Sequence, residues 1–415
     1  MNYVHGKRWM RRFFTVWGGQ AVSLIGSALV QFSLIWWLTV ETRDPLVLLT
    51  SAIVGVLPQI AIVPFAGAMV DRLNRRRVML VADGLTAATT AVLMLVFLMG
   101  AVEIWHVFAT LAFRSALQGF HWPAMQASTT LMVPEQHLAR IGGLNQSIQG
   151  LSNIIAPPLG AVLIATLPMG LILSVDIITA AVAISALVAV RIPEVRKAPD
   201  AHRKSVLGDM KEAISYLWSW KGALAVILVF MITNLLITPA FTLLPLHTLE
   251  YFGKGALEYA AMESMAGAGM IAGGALLGLW GGTKRKIVTA MAALALMGVG
   301  VGIIGTLPPE GYMIAVAACL LIGITLALVN GTVMAILQRG IRADMQGRVF
   351  ALLGAISTAI IPAGLLAAAP MSVAFGIRPW FLVSGLILVI IGAASFFAPV
   401  IMHIEDHVAE KVLVD

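Results

Sequence analysis

Residues 191–221 read RIPEVRKAPDAHRKSVLGDMKEAISYLWSWK, a long charged stretch in a chain of 415 residues, with seven lysines and arginines. On either side the sequence turns apolar for nearly its whole length. Six apolar spans precede it, from 13–40 to 169–190, and six follow, from 222–249 to 380–402. At 1.5 Å rise per residue, about 20 residues cross the roughly 30 Å hydrocarbon layer. In hydrocarbon every backbone N–H and C=O must bond internally, so such spans are helices. The expected fold is all-α integral membrane, with twelve transmembrane helices in two pseudo-symmetric six-helix bundles. The first bundle is residues 1–190, the linker 191–221, and the second bundle 222–415. Within the linker, Val206, Leu207, Met210, Ile214, Leu217 and Trp218 share one helical face, with Ser205 placed as its cap. That pattern predicts an amphipathic helix on the inner leaflet.

Composition supports the membrane and excludes water as the main solvent. The chain is 60% hydrophobic and 11% charged, with a mean hydropathy of +0.94. Soluble domains are roughly 45–50% apolar and about 25% charged. A lone cysteine, Cys319, cannot form a disulfide within the chain.

The net charge of +7 would suit a nucleic-acid binder, but its placement points to topology. Four lysines and arginines fall in residues 7–12, four in 72–77, one at Arg140 and seven in the linker. Three fall in 284–286, three in 339–348, and Lys411 is the last. All 23 sit on one side of the expected spans, and only Arg43, Lys254 and Arg378 sit on the other. Positive loops mark the cytoplasmic face, so both termini are expected there and no nucleic-acid partner is expected. The halves also echo each other. LARIGGL at 138–144 matches QGRVFAL at 346–352, and GAMVDRLNRRR at 67–77 matches GLWGGTKRK at 278–286. Repeated bundles with a central site are a transporter design.

Three motifs carry a resemblance. Gly67, Asp71, Arg72, Arg75 and Arg76 fit G-x-x-x-D-R-x-x-R-R between the second and third spans, with Asn74 in place of a usual glycine. Arg114, Gln118 and Gly119 fit R-x-x-x-Q-G on the fourth span. Ala156, Pro157 and Gly160 occupy a G-P-x-x-G core on the fifth, with alanine for the first glycine. In that order they resemble motifs A, B and C of the major facilitator superfamily. The opening FFTVWGGQAVSLIGSALVQFSLIWWLT and the loop VDRLNRRRVMLVADGLTAA are similar to its macrolide-efflux branch. The resemblance implies the major facilitator fold and a multi-pass protein of the bacterial inner membrane. It implies gating by motif A, proton coupling by motif B and a sealing bend at motif C. No bound cofactor is implied, since the proton motive force drives such carriers.

The residues themselves point the same way. Arg114 falls near the middle of its span, where insertion costs roughly 2.5–3.5 kcal/mol, so it should meet a partner or water. Gln118 and His121 follow it at helical spacing on one face. Similar polar faces run along the first span (Gln20, Ser27, Gln31), the fifth (Asn145, Gln149, Asn153) and the seventh (Asn234, Thr238). Lipid cannot solvate amides, so these faces should line a cavity or join helices. Asp83, Asp176 and Glu263 are the embedded acids, candidates for the group that takes up the proton. One proton crossing 100 mV yields about 2.3 kcal/mol, enough for a roughly 40-fold gradient at 1.4 kcal/mol per decade. The glycines of the eighth span, Gly269 and Gly273 among them, suit close sliding contacts between the halves.

No G-x-x-x-x-G-K-[ST] loop, metal-ligand cluster or nucleophile elbow occurs in the sequence, so neither an enzyme nor a metal site is expected. The expected function is proton-coupled secondary export of amphiphilic or hydrophobic compounds, macrolide-like drugs foremost, by a monomer using alternating access. The alternatives are a siderophore or metabolite exporter of the same fold, and a receptor or scaffold that no longer transports.

Overall fold

The computed structural model describes residues 8–70, 73–192 and 206–406. Among them it is all helix in its regular elements. The first six long helices are α1 (Arg8–Thr42), α2 (Pro45–Val70), α3 (Arg75–Leu98), α4 (Ile104–Met132), α5 (Glu135–Thr166) and α6 (Met169–Ala189). A shorter α7 (Val206–Ser219) follows. The second set is α8 (Lys221–Leu246), α9 (Ala256–Trp280), α10 (Lys286–Thr306), α11 (Tyr312–Gly340), α12 (Ala343–Phe375) and α13 (Arg378–Ser395). Apart from α7, twelve long helices among the described residues fit the twelve-span fold, and eleven of them are long and apolar enough to cross a membrane by composition alone. The remaining one is α4. Its 29 residues have the length but carry Arg114, Gln118, His121 and Gln126. Its polarity is tolerable because the polar side chains face a cavity instead of lipid.

The chain forms two compact units. The first is Met1–Lys197 with Gly255–Ser264, and the second is Ala198–Lys254 with Met265–Asp415. In the first unit α1 packs on α5 and α6, α3 on α4 and α6, and α2 on α4. At one end of this unit Phe13, Val16, Val70, Met79, Met132, Ile141, Leu187 and Val190 form an apolar core drawn from all six helices. The segment 255–264 joins this unit through Tyr259, which stacks on Phe32 at 5.1 Å and on Trp36 at 5.7 Å. Ser264 Oγ also donates to Ile154 O at 3.0 Å. That carbonyl is free because Pro158, four residues on in α5, has no N–H to offer it.

In the second unit α10 lies against α11 and α13, and α12 against α8, α7 and α13. Glycine sets these separations. A Cβ at Gly298 would come 2.6 Å from Gly385 O and Val389 N, so only glycine lets α10 approach α13 this closely. Gly269 and Gly273 of α9 press on the backbone of α11 around Leu320 and Ile324. These two glycines therefore serve packing inside the second unit, where the sequence suggested contacts between halves. The α7 helix is tied to its unit by Tyr216, whose hydroxyl donates to Gly340 O at 3.2 Å, and by Glu212, 2.9 Å from Arg348 Nη1. Leu217 is buried while Ile214 and Trp218 are exposed. Ser205, the expected cap, lies outside the described residues.

Candidate functional site

The faces read from the sequence on α1, α4 and α5 converge inside the first unit on a cavity of about 360 Å³. Gln20, Ser27 and Gln31 reach it from α1, Asp83 from α3, and Arg114, Gln118 and His121 from α4. Asn145 and Gln149 reach it from α5, and Asp176 from α6. The i, i+4, i+7 spacing on α4 is what brings three of these to one wall.

Two polar clusters occupy this space. In the first, both Arg114 terminal nitrogens donate to Asp176: Nη1 to Oδ2, and Nη2 to Oδ1 at 3.4 Å. Arg114 Nη1 also donates to Thr90 Oγ1 at 2.7 Å. Asp176 further receives Ser27 Oγ at 2.6 Å and Thr90 Oγ1 at 2.8 Å. The Asp176 side chain is 1% exposed and that of Arg114 11%. A charge pair taken this far from water survives only if geometry and extra hydrogen bonds offset desolvation, and here four helices (α1, α3, α4 and α6) supply them. In the second cluster, Gln20 Nε2 donates to Asp83 Oδ2 at 2.9 Å. His121 Nε2 sits 3.1 Å from Asp83 Oδ1, within ion-pair range though not aligned as a hydrogen bond. Beside it, Trp17 Nε1 donates to Asn145 Oδ1 at 2.8 Å.

Other expected residues lie elsewhere. Asn153 is exposed on α5. Asn234 Nδ2 donates to Phe230 O of its own helix at 2.9 Å, and the Thr238 carbonyl accepts from Thr242 Oγ1. Glu263 accepts from Tyr259 Oη at 2.6 Å, one turn earlier on α9. None of these four lines the cavity. Of motif A, Gly67 is in the last turns of α2, while Asp71 and Arg72 lie outside the described residues. Arg75 Nη1 donates to Ala127 O at 2.9 Å, and Arg76 donates to Leu187 O and Val188 O, both at 2.6 Å. Arg76 thus satisfies carbonyls that the end of α6 leaves open. Gly119 of motif B lies against Ile62 of α2. In motif C, Ala156 and Pro157 are buried, and Gly160 faces Phe32 of α1, where a Cβ would meet the ring at 2.7 Å. Thr90 and Trp17 were not foreseen from the sequence. Both were within reach of helical spacing, Thr90 two turns after Asp83 and Trp17 one turn before Gln20.

A charged, polar cavity walled by long apolar helices defines a membrane protein that handles small solutes. The chain belongs to the Major Facilitator Superfamily, whose sequence profile matches residues 16–364. It is therefore a multi-pass membrane transporter, not an enzyme. It is 34% identical over 383 residues to Macrolide efflux protein A of Streptococcus pyogenes, covering 92% of this chain and 95% of that relative. It is 27% identical over 368 residues to Multidrug efflux pump Tap of Mycolicibacterium fortuitum, covering 85% of this chain and 87% of the pump. In fold it is similar to a bacterial homologue of the human lysosomal transporter Spinster, with a TM-score of 0.72 at 14% identity, over 98% of each chain.

Proposed function

We propose that this chain is a proton-coupled exporter of amphiphilic, macrolide-like compounds, acting as a monomer by alternating access. It resides in the bacterial inner membrane with both termini in the cytoplasm. The observation that carries the reading is the cavity in the first unit, which holds two carboxylates, an arginine and a histidine among apolar helices. Ionisable groups cost too much in hydrocarbon to be kept there without use, and in membrane proteins they mark solute paths and proton relays. Similarity to a macrolide efflux protein and a multidrug efflux pump supports export and the cargo class. The 23-to-3 division of basic residues supports the orientation. Among the bound species, protons and one small amphiphile suffice, and the energy comes from the proton gradient with no cofactor.

Expression in an efflux-deficient bacterial host tests this reading. Accumulation of erythromycin should fall, and an uncoupler applied with ATP held constant should restore it. Export that survives the uncoupler would remove proton coupling. A panel in which siderophores are exported and no drug is would reassign the cargo. A chain that moves no solute, yet keeps its cellular effect after the cavity charges are neutralised, would be a receptor.

A further inference from the structure

Four ionisable side chains reach the cavity: Asp83, Arg114, His121 and Asp176. Their pairing is uneven. The charge of Asp176 is matched one for one by Arg114, and both its oxygens are filled by Arg114, Ser27 and Thr90. Among the described residues, Asp83 has no cation of its own. Its Oδ2 takes a neutral amide from Gln20, and its Oδ1 faces the imidazole of His121. The remaining elements around the cavity bring no charge: α2 offers Gln59, and α5 offers Asn145 and Gln149. With His121 neutral, the cavity holds one uncompensated negative charge. With His121 protonated, it holds none. An uncompensated charge screened from bulk water is costly, so this corner demands one positive charge.

We infer that Asp83 and His121 form a single-charge site that holds either a proton, on the imidazole, or the cationic centre of a lipophilic organic cation, and never both. This deepens the export reading, on which it rests, by naming the charge class of the cargo and the place where cargo and proton exclude each other. When the cation pairs with Asp83, the imidazolium passes its proton to water and becomes neutral. One positive charge enters as one leaves, so the cavity's charge is conserved. The indoles of Trp17 and Trp122 line the same space and offer π faces to a cation. Gln20 carries the state of Asp83 to α1. Arg114, to which motif B assigns proton coupling, is on this reading a positioning residue that occupies both oxygens of Asp176 and so keeps that carboxyl group out of the exchange.

The test uses the purified full chain in detergent with two probes, tetraphenylphosphonium as a permanent cation and erythromycin as an amine. Binding is titrated at pH 6, 7 and 8, and released protons are counted with a dye in weak buffer. About one proton should leave per cation bound, and affinity should weaken toward acid pH by up to ~10-fold per unit, the limit for one linked proton. Asp83→Asn should lower tetraphenylphosphonium affinity at least ~10-fold, the worth of a lost charge partner near 1.4 kcal/mol, and abolish proton release. Asp83→Glu should restore both. His121→Gln should abolish proton release and flatten the pH profile, which a merely structural histidine would not do. Wild-type affinity and proton release in Asp83→Asn, or a wild-type chain that binds neither probe, would overturn the site. Inverted vesicles separate this inference from the export reading. Cation binding with proton release but no uphill transport removes export and keeps the site. Uphill transport whose pH profile is unchanged in both variants keeps export and removes the site.

Discussion

The two units solve the same packing problem with different chemistry. In the first, α4 gives up apolar character, and the described helices enclose four ionisable groups around about 360 Å³ of space. In the second, the charged residues described on α8 and α10 to α13 fall near helix ends, as with Lys221, Lys286, Arg339, Arg348 and Arg378. A pocket beneath Phe241, Cys319 and Phe381 amounts to about 10 Å³. Small residues close the remaining distances, as at Gly298 against Gly385. The first unit is organised by the cost of burying charge, the second by van der Waals contact. A substitution should therefore hurt each unit through its own mechanism.

The largest effect should come from splitting the buried ion pair. Arg114→Leu or Asp176→Leu alone leaves one charge in a nearly dry site, which typically costs about 3–5 kcal/mol. Replacing both with leucine removes that orphaned charge and should recover much of the loss. Thermal unfolding of the three purified variants, read as a double-mutant cycle, measures it. Single variants as stable as the parent would mean that the pair is solvated and does not organise the first unit.

In the second unit the sharp test is volume. Gly298→Val places new carbons against the backbone of α13 and should cost about 1–3 kcal/mol by overpacking. A Cβ added at Gly274, on α9, would meet nothing within 4 Å. Gly274→Ala should be neutral or stabilising, by up to about 1 kcal/mol of helix propensity. Equal effects at the two positions, followed by the same unfolding assay, would deny that glycine sets the spacing of α10 and α13.

This contrast also explains what the sequence could reveal. Spans and the polar faces of α1, α4 and α5 follow from hydropathy and the 3.6-residue period, which are local properties. They led to Gln20, Ser27, Arg114, His121, Asn145 and Gln149, all of which line the cavity. Partner choice is not local. That Arg114 takes Asp176 while Asp83 is left to His121 depends on how α3, α4 and α6 rotate against one another. The seventh-span stripe, which lies in the second unit, does not reach this cavity. Asn234 and Thr242 bond the preceding turn of their own helix, a choice open to short polar side chains anywhere in a membrane helix. The glycines of α9 were legible as contact points, but periodicity does not say which helix they touch.

The smallest effects belong to the corners that correspond by sequence, 67–77 and 278–286, where the two units again differ. In the first, the cap of α3 is local: Asn74 Oδ1 accepts from Arg77 N at 3.1 Å. In the second, Arg285 gives α10 no side-chain cap. The free Lys286 N–H instead donates to both oxygens of Glu405, at 2.8 and 3.1 Å, from far along the chain. Asparagine is among the best N-caps and glycine is nearly as good, whereas alanine typically costs about 1 kcal/mol. Asn74→Ala should thus lower stability by about that much, while Asn74→Gly, which restores the usual motif residue, should lower it by only a few tenths of a kcal/mol. Glu405→Ala should cost a comparable ~1 kcal/mol, because it removes a charged acceptor from a helix N-terminus, and added salt should shrink the difference only for Glu405. Salt sensitivity at Asn74, or none at Glu405, would show that the two corners are capped by the same physics after all.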